Sequence, residues 1–192
     1  GTQVYYRTDH HWTTEGAYIA YQKAAPSLGI PARKYTGKVV ANNFRGSLAS
    51  KSGFANGRND DVTLFLPDYS NHKSSVIFFS DTQTRTTKFY KLNNLKKKDK
   101  YTVFGGSNHP EYTIKTPVES KERLLIVKDS YANSFIPFLT QDYYEIVVVD
   151  PRYYFDNIDR LMDSEGVTKV LFLYNSDTFF GDDSLALALE NN

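Results

Sequence analysis

The chain contains no cysteine. A disulfide framework, a thiolate metal site and a cysteine nucleophile are therefore excluded. It also has no run approaching the roughly 18 consecutive apolar residues that a membrane span needs. Neither charge sign dominates: 23 Lys and Arg stand against 22 Asp and Glu, for a net charge of +1. No strong field thus favours nucleic acid or an anionic membrane. Histidine is scarce, with four residues, and there is one tryptophan. The start, Gly1-Thr2-Gln3, has neither a methionine nor a signal-peptide pattern. The expectation is a segment of a longer protein, with any export signal upstream.

Aromatic residues, in contrast, are plentiful, with 15 Tyr and 13 Phe. Abundant tyrosine suits a polar ligand such as a sugar, and equally an ordinary β-rich domain. A chain of 192 residues can build one sizeable core, or one core with an inserted subdomain.

Taken in order, residues 3–7 read as a short strand running into Asp9-His10-His11-Trp12. Thr13 or Thr14 can cap the next helix, with Glu15 in its first turn. Ala17, Tyr18, Tyr21, Ala24 and Ala25 recur at helical spacing until Pro26, Gly29 and Pro31 end the pattern. Residues 32–120 change character. Short strand-like runs at 38–41, 62–66, 75–79, 87–92 and 101–104 alternate with polar turns, which reads as a β-rich inserted region. Lys96-Lys97-Lys98-Asp99-Lys100 reads as a solvated turn. From residue 121, strands at 123–127, 145–150 and 167–174 alternate with helical patterns around Tyr131, Phe135, Phe138 and Leu139 and around Phe155, Ile158, Leu161 and Met162. A last short helix is expected at 183–189. Continuous apolar strands alternating with helices imply a parallel sheet with helices on both faces. Ligands bind such sheets beyond the carboxyl ends of the strands, where Ser130, Arg152 and Asn175 stand.

A serine hydroxyl needs an imidazole to take its proton, and the imidazole needs a carboxylate to set its tautomer. Asp9 and His11 offer both on one turn, and Ser130 lies at a strand-to-helix transition. Arg152 and Asn175 are donors suited to a developing oxyanion. Plainer readings stand beside these. Asp9 and His11 also suit a structural hydrogen-bonded turn, or a metal site with His72 or His109, although no His-x₃-His or Glu-x-x-His spacing supports a metal. Ser130 and Asn175 are also capping residue types. Arg152 has Asp150 and Asp156 as ion-pair partners nearby in sequence. His10 points away from His11 if the segment is extended. Trp12 suits packing or a sugar site. Gly105-Gly106 reads as a tight turn, with Asn108 and His109 next to it as candidates to face substrate.

Asp9-His10-His11-Trp12 resembles the motif that names the DHHW family of bacterial extracellular proteins. Those resemble the catalytic domains of alginate and cell-wall polysaccharide O-acetyltransferases, which look like SGNH-type hydrolases with a permuted order. The resemblance extends over Gly105-Gly106-Ser107-Asn108-His109-Pro110, Lys128-Asp129-Ser130-Tyr131, Asp150-Pro151-Arg152 and the stretch 173–179. It implies a flavodoxin-like α/β fold in a single catalytic domain over 1–192, with residues 32–120 as the insertion. It implies Ser130 as nucleophile, His11 as base and Asp9 as its orienter. Arg152, the Ser130 amide and Asn175 follow as oxyanion donors, and Tyr131, Asn108 and Trp12 as substrate contacts. Two positions depart from the hydrolase pattern: Lys128 replaces the glycine of Gly-Asp-Ser, and Asn175 falls one place early. The implied partners are a polysaccharide acceptor, an acetyl donor and a membrane acyl-transfer partner, outside the cell, with no cofactor, metal or nucleic acid. An acetylesterase with the same triad and a non-catalytic glycan-binding module are the alternatives.

Overall fold

The computed structural model describes residues 1–53, 57–67 and 74–190. The chain divides into two compact units, Gly1–His72 with Tyr90–Ser107, and Lys73–Phe89 with Asn108–Asn192. Among the described residues no helix is long and apolar enough to cross a membrane.

In the first unit, residues 3–12 form a tight reversal and not the expected strand. Their ladder is one bridge, Tyr5 to Trp12, with the Tyr6 amide donating to the His11 carbonyl. The polar tip is held by a side chain: Asp60 accepts from the amides of Arg7 and Thr8, from the Thr8 hydroxyl and from Gln3. Helix α1 (Thr14–Leu28) follows at once, capped by the Thr13 hydroxyl. Its buried stripe is Ala17, Tyr21 and Ala25, the i, i+4, i+8 face that the spacing predicts. Pro26 is accommodated in the last turn, and Gly29 closes the helix in the left-handed conformation with φ 68°. Strand β1 (Tyr35–Phe44) pairs antiparallel with β2 (Asp60–Pro67), with register shifts after Val39 and Ala41. The short helix α2 (Ser47–Ser52) lies between them, in a stretch where the sequence pattern predicts no helix. Of residues 101–104, expected as a strand, the first three fall in a 3₁₀ turn, Lys100–Val103, and Phe104 makes a single bridge to Tyr90; Lys100 is buried with its ammonium on the carbonyls of Leu95 and Lys97.

The second unit is one six-stranded sheet. Its strands are β3 (Val76–Phe79), β4 (Thr84–Thr86), β5 (Glu111–Lys115), β6 (Arg123–Lys128), β7 (Glu145–Val149) and β8 (Lys169–Leu173), in the order β4-β3-β5-β7-β6-β8. The sheet is mixed, which corrects the expectation of a parallel one: β7-β6-β8 is parallel and β4-β3-β5-β7 antiparallel. Three strands from the stretch 32–120 thus extend the sheet that β6 to β8 begin. In sequence their short runs read as part of a β-rich inserted region, because pairing partners tens of residues away leave no local trace. The apolar runs of β6 and β7 are buried along nearly their whole length, as central strands require. On one face, Leu125, Val127, Val147 and Val149 pack with Ile158 and Leu161 of α3 (Ile158–Glu165) and with Ala188 of a C-terminal helix. The stretch after β6 is two 3₁₀ turns, Ser130–Ser134 and Ile136–Leu139, with Pro137 at the start of the second. Proline there removes the amide that a longer α-helix would need. After β8 come α4 (Ser176–Gly181) and α5 (Ser184–Glu190).

Candidate active site

In the first unit the reversal at residues 5–12 places Asp9 and His11 side by side. The His11 Nδ1 lies 2.5 Å from Asp9 Oδ1, which also accepts the His11 amide at 3.0 Å. The carboxylate can only accept, so Nδ1 carries the proton and the imidazole lone pair is on Nε2. The other carboxylate oxygen accepts the amide of Ser47, at the start of α2, at 2.8 Å. Asp9 and His11 are both buried. Burial opposes a charge on Asp9. The hydrogen bonds from the His11 side chain and the Ser47 amide, with the adjacent imidazole, overcome that and hold its carboxyl well below the usual carboxylate range. The Tyr101 ring stacks on His11 at 3.6 Å and 10°. His10 is exposed, yet its ring lies against that of His11 with centroids 3.9 Å apart, which corrects the expectation that it points away: the segment bends here and is not extended, and His10 Nδ1 is 2.6 Å from the Ser47 hydroxyl. Trp12 is half-buried beside the Tyr5 bridge.

The clamp around Asp9 carries little sequence signal. A Cβ on Gly46 would overlap the Asp9 side chain, so only glycine lets the backbone come close enough for Ser47 to donate. Gly46→Ala is expected to lower stability by about 1–3 kcal/mol and to displace the carboxylate. Urea unfolding checks the first effect, and the imidazole ¹⁵N signals of His11 check the second.

In the second unit the parallel register sets the ends of β6, β7 and β8 beside one another, with Val127 opposite Val149 and Lys128 opposite Leu173. Ser130 opens the 3₁₀ turn directly after β6. The buried Asp129 before it accepts the Tyr131 amide at 2.8 Å, and the backbone and side-chain nitrogens of Asn175 at 3.0 and 2.5 Å. Asp129 thus ties the serine turn to the start of α4. Asn175 caps that helix by accepting from Thr178, and its amide hydrogens go to Asp129 and Thr178. Arg152 forms a two-pronged ion pair with Asp150, Nε to Oδ1 at 2.8 Å and Nη2 to Oδ2 at 2.7 Å. That hydrogen-bonded pairing pushes the guanidinium pKa further up, so the charge is permanent. Tyr131 is half-buried at the serine turn. Asn108 sits before β5, its carbonyl accepting from Lys128 and Asn133, each at 3.2 Å.

Lys128, in the place of the expected glycine, is fully buried with its ammonium 3.2 Å from Asp150. Burial pushes its pKa down, against the pull of Asp150. Asp150 is therefore a buried carboxylate between two cations. Asp150→Asn would remove the counter-charge of both and is expected to cost about 3–5 kcal/mol of stability, read from the midpoint of denaturant unfolding. In sequence its signal is an acid at the end of an apolar strand, with a lysine at the end of its neighbour.

Of the metal partners raised from the sequence, His72 lies outside the described residues. His109 is in the second unit, paired with Asp81 at 2.9 Å and packed on Phe79.

The DHHW protein family profile matches residues 1–149. No curated protein sequence matches the chain. Among solved structures, a DHHW family protein from Eubacterium siraeum is 24% identical, with a TM-score of 0.79 over 97% of this chain and 63% of that one. Bacillus cereus PatB1 is 23% identical, with a TM-score of 0.76 over 95% of this chain and 65% of that one. A second PatB1 structure, which carries a sulfonyl adduct, is 22% identical with a TM-score of 0.74 over 95% of this chain and 63% of that one. The chain spans less than two thirds of the length of each, and likeness at this identity establishes the fold.

Proposed function

The chain belongs to the DHHW family, and on that footing we propose that it is a serine-dependent O-acetyltransferase acting on a cell-envelope polysaccharide outside the cell. The observation that carries the reading is the Asp9–His11 pair: a buried carboxylate holding Nδ1 of a buried imidazole, the arrangement a general base needs. Ser130 at the end of β6, in the parallel half of the sheet, supports an SGNH-like reading of the fold and the role of nucleophile. The sulfonyl adduct on PatB1 adds support, because sulfonyl reagents react with activated nucleophiles.

In the proposed reaction Ser130 Oγ attacks the carbonyl carbon of an acetyl donor while His11 Nε2 takes the hydroxyl proton. The oxyanion collapses, the leaving alkoxide takes the proton from His11, and acetyl-Ser130 remains. A sugar hydroxyl then loses its proton to His11 and attacks, which releases the acetylated glycan and restores Ser130. Water in place of the sugar makes the same enzyme an esterase. Arg152 is the favoured side-chain donor to the oxyanion beside the Ser130 amide, since its Nη1 hydrogens are not used by Asp150 and both Asn175 amide hydrogens already have acceptors. Tyr131, Asn108 and Trp12 are proposed substrate contacts, and a membrane partner is the proposed source of acetyl groups.

The test is intact mass measurement after exposure to a chromogenic acetyl ester. One added acetyl group on the peptide containing Ser130 is the expected result. An acetyl group carried elsewhere, or wild-type turnover retained in full by Ser130→Ala, overturns the assignment.

A further inference from the structure

His10 has no part in the proposed reaction, yet it stands next to the two residues that do. The ligand atoms of Asp9, His10 and His11 lie within 4.8 Å of one another. Asp9 Oδ1 is 2.5 Å from His11 Nδ1 and 3.7 Å from His10 Nδ1. Around a tetrahedral ion with bonds of ~2.0 Å, donor atoms sit about 3.3 Å apart, between those two distances. The 2.5 Å contact is a hydrogen bond, and replacing its proton by an ion needs under about 1 Å of widening. Two imidazoles and one carboxylate are a donor set that zinc accepts, with water in the fourth position. Two neighbours hold these groups in place: the Ser47 amide donates to Asp9 Oδ2, and the Tyr101 ring stacks on the plane of His11. The His10 side chain is 45% exposed, so an ion has a way in, and the Ser47 hydroxyl on its Nδ1 has only to rotate aside.

We infer that Asp9, His10 and His11 form a binding site for one divalent zinc ion, and that the ion switches the Asp9–His11 pair off. The proton balance gives the mechanism. Neutral His11 carries its proton on Nδ1. An ion taking the Nδ1 lone pair moves that proton to Nε2, the atom that must be empty to receive the Ser130 proton. The Asp9 carboxylate is engaged by the metal at the same time. The inhibitory half of this inference rests on the function proposed above, and the binding half does not.

The experiment titrates Zn²⁺ into the metal-free chain by calorimetry, with imidazole ¹⁵N spectra alongside, for the wild type, His10→Ala, His10→Gln and His109→Gln. The expected result is one zinc ion bound, with His10 and His11 signals both moving. Both His10 variants should weaken affinity roughly tenfold or more, and His109→Gln should leave it unchanged. Acetyl-ester turnover should fall over the same zinc range and return with a chelator. The His10 variants should keep the metal-free turnover and need roughly tenfold more zinc to lose it. Zinc affinity equal in the wild type and both His10 variants overturns the site. Zinc bound through His10 with turnover unaffected overturns the inhibition. If the wild type turns over no ester, the proposed function has failed, and calorimetry and spectra alone still decide the site.

Discussion

Ser130→Ala is expected to lower acetyl-ester turnover by about 10³-fold or more, ~4 kcal/mol of transition-state stabilisation, and to abolish acetyl labelling of the chain. In the proposed reaction the serine hydroxyl is the atom that forms the covalent bond, and alanine has no atom to take its place. Asp129 is locked by Tyr131 and Asn175, and Tyr131 is a poor nucleophile at neutral pH. The fold should be nearly indifferent to the change. The turn at Ser130 is capped by the Asp129 side chain, so removal of the serine oxygen leaves the cap in place. Steady-state turnover and a thermal melt on the same sample separate the two effects. Full turnover by the alanine variant would remove Ser130 from the mechanism.

Asp9→Asn is expected to lower turnover about 10²- to 10⁴-fold for a different reason. Asparagine is nearly isosteric, but its amide can donate to the ring nitrogen it faces. A donated hydrogen bond favours the tautomer with the His11 proton on Nε2, which cannot act as the base. The same variant should also lose stability, in a pH-dependent way. The Asp9 pKa is depressed in the folded chain, chiefly because hydrogen bonds from His11 and Ser47 outweigh the burial that opposes its charge. A depressed carboxylate stabilises the fold fully above its unfolded value of about 3.9, and that contribution fades as pH falls towards the folded value. The stability gap between wild type and Asp9→Asn should therefore be widest near neutral pH and narrow on acidification. Urea midpoints at a series of pH values measure it, and a gap that grows towards acid would contradict the assigned hydrogen bonds.

Parts of this were legible in the residues alone. The buried stripe of α1, its threonine cap (Thr13 of the two candidates) and its stop at Gly29 follow from spacing and from two residue types with strong backbone roles. The apolar runs of β6 and β7 declare central strands because burial on both faces leaves nothing to alternate. The Asp9–His11 pair was visible because both partners lie within three residues, so one turn brings them together.

Other features depended on partners distant in sequence. The direction in which β5 runs beside β7 is not written in five alternating residues, and with it went the expectation of a parallel sheet. The clamp on Asp9 joins residue 9 to Gly46 and Ser47, and its key member is recognisable only by the side chain it leaves out. Arg152 is equally suited by sequence to an oxyanion or to Asp150. The structure commits two of its nitrogens to Asp150, because a carboxylate buried at the end of β7 needs a permanent cation beside it. What the sequence by itself determined is what one helical turn or one strand can hold: residue types, spacing and the chemistry of adjacent side chains. What only the tertiary structure decided is which of those groups are buried, which hydrogen bonds they already spend, and which remain for a substrate. Desolvation and hydrogen-bond saturation depend on neighbours in space, and no stretch of sequence contains them.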